Sequence, residues 1–394
     1  MIRRTVTSLK NLTAAVLLLG VVLVMAEIGV GWLAPPVPPA VTSQVKASLQ
    51  QLLVPSATRH HELRRSAQLQ IPGGPQFRTS SLGLRQTPGL ETTSDTLRVL
   101  FLGDEAVLSA RVEHEESLPG RLEQFLGRAT QRNVHVINGG IPGYSPLLSW
   151  LAFRHELHRL KPDVVILHFD MSDVTDDAIY RRRLISGGHT TVCGNALLDD
   201  FSDGVSPLTR HVRDSALVRT ALQSLSADAK LSLLSERYQW TLGNADGLKL
   251  RIQHAMEPLQ KFADAAKEQG FSFLVTTSPV PWQVAASDSF SELASQLPGT
   301  DWPVTESLPA QILNAACRQY DVELCDPADA FRSFADVDRL FIGFAVELSA
   351  YGNALYAREI AAKLIKTPRF AALFERTGVA AVSDKSLSHP SGKH

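Results

Sequence analysis

The stretch Val99-Leu100-Phe101-Leu102-Gly103-Asp104-Glu105 decides how this sequence folds. An apolar run that stops at Gly-Asp reads as a parallel strand buried on both faces, presenting its next side chains at the C-terminal edge of a sheet. Open α/β sheets place their chemistry on that edge. Asp104 and Glu105 arrive there in succession, so two carboxylates stand at the first strand end.

Working outward from it, strand and helix patterns alternate, the signature of a parallel sheet covered on both faces. Strands are expected at residues 97–102, 134–138, 164–169, 271–277 and 322–325. Between them run apolar residues at helical spacing. Leu118, Leu122, Phe125 and Leu126 mark the first helix, and Leu147, Leu148, Leu151, Phe153 and Leu157 the second. Ile252, Met256, Leu259 and Phe262 mark a third, and residues 355–364 close the domain. Five parallel strands with right-handed crossovers give a flavodoxin-like three-layer α/β/α sandwich over residues 96–368. Residues 175–247 are long for one connection and read as an insert, a lid or side wall of a cleft. Residues 369–394 read as a small, polar, flexible tail.

Bulk properties narrow the class. With 394 residues, 44% hydrophobic and 20% charged, the chain can bury one sizeable core with extensions. A formal net charge of −1 gives no electrostatic case for nucleic acid. Cys193, Cys317 and Cys325 are too few for a disulfide framework and lack zinc-site spacing, so they are expected as unpaired, half-buried thiols. Arg3, Arg4 and Lys10 precede an apolar run over residues 12–34 that only Glu27 breaks. That length suits one membrane-spanning helix, and the charge order places the N-terminus in the cytoplasm and the body on the periplasmic or extracellular side. A cleaved signal peptide, with Val24-Met25-Ala26 near its cleavage site, is the rival reading. The anchor is favoured because apolar character resumes through Ile28, Val30, Trp32 and Leu33. Pro35-Pro36-Val37-Pro38-Pro39 then makes a stiff spacer, and residues 35–95 form the spacer and lead-in, with a short helix or stalk up to about Leu63.

The first strand and four further blocks resemble the SGNH (GDSL-type) hydrolase family over roughly residues 96–364. Val136-Ile137-Asn138-Gly139-Gly140-Ile141-Pro142-Gly143-Tyr144-Ser145 is similar to the family's second block. There a glycine N–H donates to the oxyanion, which Gly140 or Gly143 could do, although the same glycines are needed to make the turn. Lys161-Pro162-Asp163-Val164-Val165-Ile166-Leu167 leads to Ser172-Asp173, where the family has Asn-Asp. Phe273 to Pro281 resembles the strand with a Pro-x-Pro exit, read as carrying no chemistry. Phe344-Ala345-Val346-Glu347-Leu348-Ser349-Ala350-Tyr351-Gly352 resembles the last block. Phe77 to Arg85 is similar to the lead-in of anchored family members, or else is an edge hairpin of no functional weight.

The resemblance implies a serine esterase, and the sequence departs from it at each catalytic position. Glu105 stands for the nucleophilic serine, Ser172 for the asparagine donor, Glu347 for the histidine base, and Phe344 or Ala345 for its orienting carboxylate. No histidine occurs between His254 and His389. Serine attacks only with a base to take its proton, so these replacements together imply a catalytically degenerate member, a pseudoenzyme. Anchored relatives are associated with O-acylated surface polysaccharides, so the expected partner outside the membrane is a cell-surface glycan or a protein. Exposed aromatics among Tyr144, Tyr180, Trp240 and Trp282 would favour a sugar. The ligand-binding candidates are Asp104, Glu105, Gly140, Gly143, Ser172, Asp173 and Glu347.

Two hydrolytic alternatives remain open. Asp104, Glu105, Asp173 and Glu347, with Asp170, Asp176 and Asp177 near in sequence, are expected to converge on the cleft edge, where a carboxylate pair or a recruited divalent metal could act. Asp104 as a helix cap is the plainer account of that residue. A rewired serine esterase needs a serine and a histidine within hydrogen-bond reach. Its candidates are Ser109, Ser145, Ser172 and Ser349 with His114, read as a surface-turn residue, or His168, read as a satisfied core histidine.

Overall fold

In the computed structural model, residues 41–87, 95–187, 190–195, 238–242, 248–284, 308–342 and 347–375 are described. They belong to one of two compact units of the chain; the other, residues 1–40 and 199–233, lies outside them. The expected membrane segment and Pro-rich spacer, most of the 175–247 insert and the tail from 376 onward therefore lie outside the described residues. Among the described residues no helix is long and apolar enough to cross a membrane.

A lead-in precedes the sheet. Helix α1 (Val41–Leu52) runs into a hairpin of β1 (Leu53–Ser56) and β2 (His60–Leu63), followed by the hairpin β3 (Gln68–Gln70) and β4 (Gln76–Arg78). The core then unfolds in the expected alternation. It comprises β5 (Leu97–Gly103), α2 (Glu105–Leu108), α3 (Leu118–Thr130), β6 (Val134–Gly140), α4 (Pro146–His155) and β7 (Val164–Phe169). After α5 (Asp173–Arg181) and the hairpin β8 (Leu184–Gly187)–β9 (Thr190–Cys193) come α6 (Lys249–Gln269), β10 (Ser272–Thr277) and α7 (Pro281–Val284). The chain closes with α8 (Leu308–Gln319), β11 (Glu323–Cys325), α9 (Ala328–Arg332), α10 (Ala350–Lys366) and α11 (Pro368–Glu375).

The five core strands form one parallel sheet in the order β11-β10-β7-β5-β6. In chain order this is 2-1-3-4-5, the flavodoxin-like sheet. Successive residues of β5 face opposite sides, as strand geometry dictates. Leu100 and Leu102 pack with Leu148, Leu151, Leu259 and Phe262 of α4 and α6, whereas Val99 and Phe101 pack with Leu122, Leu126, Ile360 and Leu364 of α3 and α10. The switch point of the order, where the chain leaves one side of β5 for the other, falls between β5 and β7.

The Phe77–Arg85 block is no idle hairpin. Arg85 is 6% exposed, and its guanidinium donates to the carbonyls of Leu108 at 2.9 Å, Ser109 at 2.5 Å and Val112 at 2.7 Å. Those carbonyls end α2 and its following turn, so the lead-in holds the segment that carries Glu105. Burial lowers the Arg85 pKa to about 10, still charged at neutral pH. The three cysteines are free and fully rather than half buried. Replacing Arg85 by Met removes a charged donor from three carbonyls, leaving those of Leu108 and Ser109 to Asn138 Nδ2 and Val112 N–H and stranding that of Val112. The expected cost is about 2–4 kcal/mol, read as a lower urea midpoint at unchanged m-value.

Candidate functional site

At the switch point β5 and β7 end side by side. A Cβ on Gly103 would stand 2.9 Å from the Cβ of His168 and 2.6 Å from Val107 Cγ2, so glycine is what lets these strand ends approach. Asp104 follows, and its Oδ1 accepts from Ala106 N–H at 3.1 Å, the helix cap the sequence suggested. The same Oδ1 lies 3.5 Å from His168 Nδ1. Asp170, just past β7, completes a group with Asp104 and His168 whose ligand-type atoms all lie within 4.8 Å of one another, all three residues buried. The other nitrogen of the ring, Nε2, is 3.1 Å from Ser278 Oγ, one residue beyond β10.

His168 is therefore not a satisfied core histidine, because its buried Nδ1 has no hydrogen-bond partner. The block read from Phe273 to Pro281 brings Ser278 against this ring. Sequence reasoning placed His168 on an apolar strand and passed over Ser278; the polar residue near a strand end in each case was the available signal. Burial first, then the Asp104 charge, raises the Asp170 carboxyl above its ordinary range.

Glu105 turns the other way. Its Oε2 accepts the Gly143 N–H at 3.1 Å, so the residue at the nucleophile position occupies a backbone donor that the resemblance assigns to an oxyanion. Gly140 makes no such donation, because its N–H goes to Asn138 Oδ1 at 3.0 Å. A Cβ there would lie 2.3 Å from Leu108 N, which settles Gly140 as a structural glycine. The loop bearing Gly143 is clamped from both sides. His61 Nε2 donates to Pro142 O at 2.8 Å, Tyr144 Oη to His61 O at 2.7 Å, and Tyr180 Oη to Gly143 O at 2.8 Å.

Among the described residues, neither Glu105 nor Asp173 nor Glu347 belongs to a close group of three ligand-type side chains, although the Asp104 charge reaches both Asp173 and Glu347. Asp173 is 2% exposed, and its Oδ2 accepts from Asp170 N–H at 2.7 Å while Oδ1 has no partner. Burial and the neighbouring Asp170, Asp104 and Asp176 charges raise its pKa well above the usual carboxylate range. Asp177 pairs with Arg181 at 2.5 Å. Glu347 lies 3.3 Å from Arg111 Nη1; burial raises its pKa, and Arg111 offsets part of that. Phe344 and Ala345 lie outside the described residues.

The hydroxyls proposed from sequence are also placed elsewhere. Ser172 Oγ donates to Asp176 Oδ2 at 3.1 Å, Ser109 Oγ to Ala106 O at 2.8 Å, and Ser349 caps α10. Ser145 is 1% exposed, with no partner at its hydroxyl. His114 is half-buried in a single 3-10 turn, and burial lowers its pKa. Tyr144, Trp240 and Trp282 are 2%, 1% and 3% exposed, so they offer no stacking surface.

No family model matches the chain, and no curated protein matches it in sequence. Solved structures similar to it are GDSL/SGNH-type acylhydrolases and acetylxylan esterases. The lipase/acylhydrolase from Enterococcus faecalis is 14% identical, with 68% of this chain and 94% of that chain covered at a TM-score of 0.36. An acetyl xylan esterase is 13% identical, with 68% and 100% covered at 0.37. A catalytic mutant of an acetylxylan esterase from Geobacillus stearothermophilus is 12% identical, with 68% and 93% covered at 0.37.

The clamp on the Gly143 loop is pH-sensitive. Because His61 Nε2–H is donated to Pro142, the neutral ring must accept at Nδ1, where His60 Nδ1 lies 2.9 Å away. Burial lowers the His61 pKa to about 4, outweighing the Pro142 bond. The unfolded chain protonates this ring near pH 6.5 and the native one only near 4, so stability is full above 6.5 and falls as pH drops between the two values. From pH 7.5 to 4, wild type is expected to lose about 3 kcal/mol more than His61→Phe, read from urea midpoints.

Proposed function

We propose that this chain is an exported protein, tethered to a membrane through residues 1–34 with its body on the periplasmic or extracellular side. In this reading the body is a degenerate SGNH-hydrolase-like module that binds a cell-surface glycan or a protein partner instead of turning over an ester at the Glu105 position. One observation carries it. The Glu105 carboxylate sits on the Gly143 N–H at 3.1 Å, so the chain supplies its own anion where an acyl-transfer intermediate would need the donor. The burial of Tyr144, Trp240 and Trp282 leaves Tyr180, which is part-exposed, as the one aromatic of that set open to a sugar. Arg3, Arg4 and Lys10 ahead of the apolar run support the orientation.

A hydrolytic reading has one observation in its favour. Ser278 Oγ, His168 Nε2 and, beyond the ring, Asp104 follow one another in the order of a serine relay, with 3.1 Å and 3.5 Å separations. The second separation exceeds hydrogen-bond length, and Ser278 is only 5% exposed. The two readings part in one assay. The detergent-purified full chain, with Glu105→Ala and Ser278→Ala, is given p-nitrophenyl acetate and an acetylated glycan, with and without divalent metal. The expected rate is that of buffer for all three proteins. Turnover abolished by Ser278→Ala would establish the relay, and turnover abolished by Glu105→Ala would establish a catalytic carboxylate; either overturns the binding reading.

A further inference from the structure

We infer that Asp104, His168 and Asp170 form a binding site for one divalent first-row transition cation, of the Mn²⁺ or Zn²⁺ kind, at the switch point between β5 and β7. This goes beyond the partner-binding reading and does not depend on it. The ligand set takes Asp104 and Asp170 from the carboxylates that the sequence grouped at this edge, adds His168, and leaves out Glu105, Asp173 and Glu347.

The donor atoms already have the spacing an ion imposes. Metal–ligand bonds of about 2.0–2.2 Å put neighbouring donors on a tetrahedral ion about 3.4 Å apart. His168 Nδ1 and Asp104 Oδ1 are 3.5 Å apart, and the whole group lies within 4.8 Å. That separation is too long for an N–H···O bond. The His168 side chain is 0% exposed, and its Nδ1 has no hydrogen-bond partner, an orphaned lone pair aimed at a carboxylate oxygen. A cation between them would give Nδ1 the partner it lacks and meet the Asp104 charge at the same time. The carboxylates supply two negative charges, which one divalent ion neutralises.

The surroundings fix each ligand, as outer partners of metal sites do. His168 Nε2 lies 3.1 Å from Ser278 Oγ, a hydroxyl that can accept from Nε2–H, and in that tautomer Nδ1 is free to coordinate. Asp170 Oδ1 accepts from Ser172 N–H at 2.7 Å, and its own N–H is held by Asp173 Oδ2 at 2.7 Å. Asp104 is oriented by the Ala106 N–H. Asp104 and Asp170 keep 6% and 7% exposure, so the group meets solvent only at the sheet edge. One imidazole with two carboxylates favours Mn²⁺ and Zn²⁺ over Mg²⁺ and Ca²⁺, which prefer all-oxygen cages.

The test uses the full chain, stripped with EDTA and dialysed. Titration calorimetry with Mn²⁺ and Zn²⁺ is expected to show one saturable site at least tenfold tighter than for Mg²⁺ or Ca²⁺. The Co²⁺ form is expected to show visible absorption of mixed nitrogen and oxygen ligation. Asp170→Asn and His168→Gln should each weaken binding at least tenfold. Asp170→Asn also removes a charge repulsion, so its metal-free form should melt no lower than metal-free wild type. Asp329→Asn, at a fully exposed side chain paired only with Arg332, should bind like wild type. No saturable site in the wild type, affinity unchanged in Asp170→Asn, or Mg²⁺ bound as tightly as Mn²⁺ would overturn the assignment.

Discussion

The edge of the sheet depends on how closely β5 and β7 end beside each other. Gly103 permits it, since any side chain there would meet His168 and Val107. Because the strands pair up to Leu102 and Leu167, Asp104 meets the His168 ring instead of bulk water. Its carboxylate starts α2 through Ala106 and faces the imidazole at the same time. The direction of Glu105 follows: the helix begins at that residue, so its side chain leaves on the side of the Gly143 loop.

That loop is held independently of Glu105. His61, Tyr144 and Tyr180, from three separate parts of the chain, fix Pro142 and Gly143 through short hydrogen bonds. A donor held this rigidly costs little to bind an anion, and a charge-assisted bond from a carboxylate is stronger than one from a neutral group. A serine hydroxyl at position 105 would end two heavy atoms short of the reach Glu105 uses. The longer glutamate side chain thus makes the Gly143 N–H an internal contact.

The sheet was legible because its strands are buried on both faces. Residues 164–169 matched as read, and residues 97–102 and 134–138 extended by a glycine or two that still pair, Gly103 with Gly140. The Asp104 cap followed from a general rule of helix starts. His168 could not be read the same way, since its partner Ser278 lies 110 residues on and only sheet register brings the two strands together. The same limit hid the role of Arg85, which reaches carbonyls 23 to 27 residues away. The burial of Trp240 and Trp282 was equally out of sight in the sequence, because an indole can satisfy its N–H internally. Trp240 donates to Met171 O at 2.6 Å and Trp282 to Thr241 Oγ1 at 3.0 Å.

The buried carboxylates are unevenly compensated, and the unevenness is informative. Asp177 has a guanidinium at 2.5 Å, an ordinary way to bury an acid. Asp170 and Asp173 instead lean on backbone N–H groups and on each other, with burial and mutual charge raising both pKa values. An asparagine at either position would keep much of the hydrogen bonding and shed the repulsion, so stability alone does not account for two acids here. Sequences break local rules of satisfaction where a site requires it. Glu105 and the buried acids therefore belong to different parts of the same edge, Glu105 facing the Gly143 loop and Asp104, His168 and Asp170 facing the switch point, so that a change at either leaves the other group of residues in place.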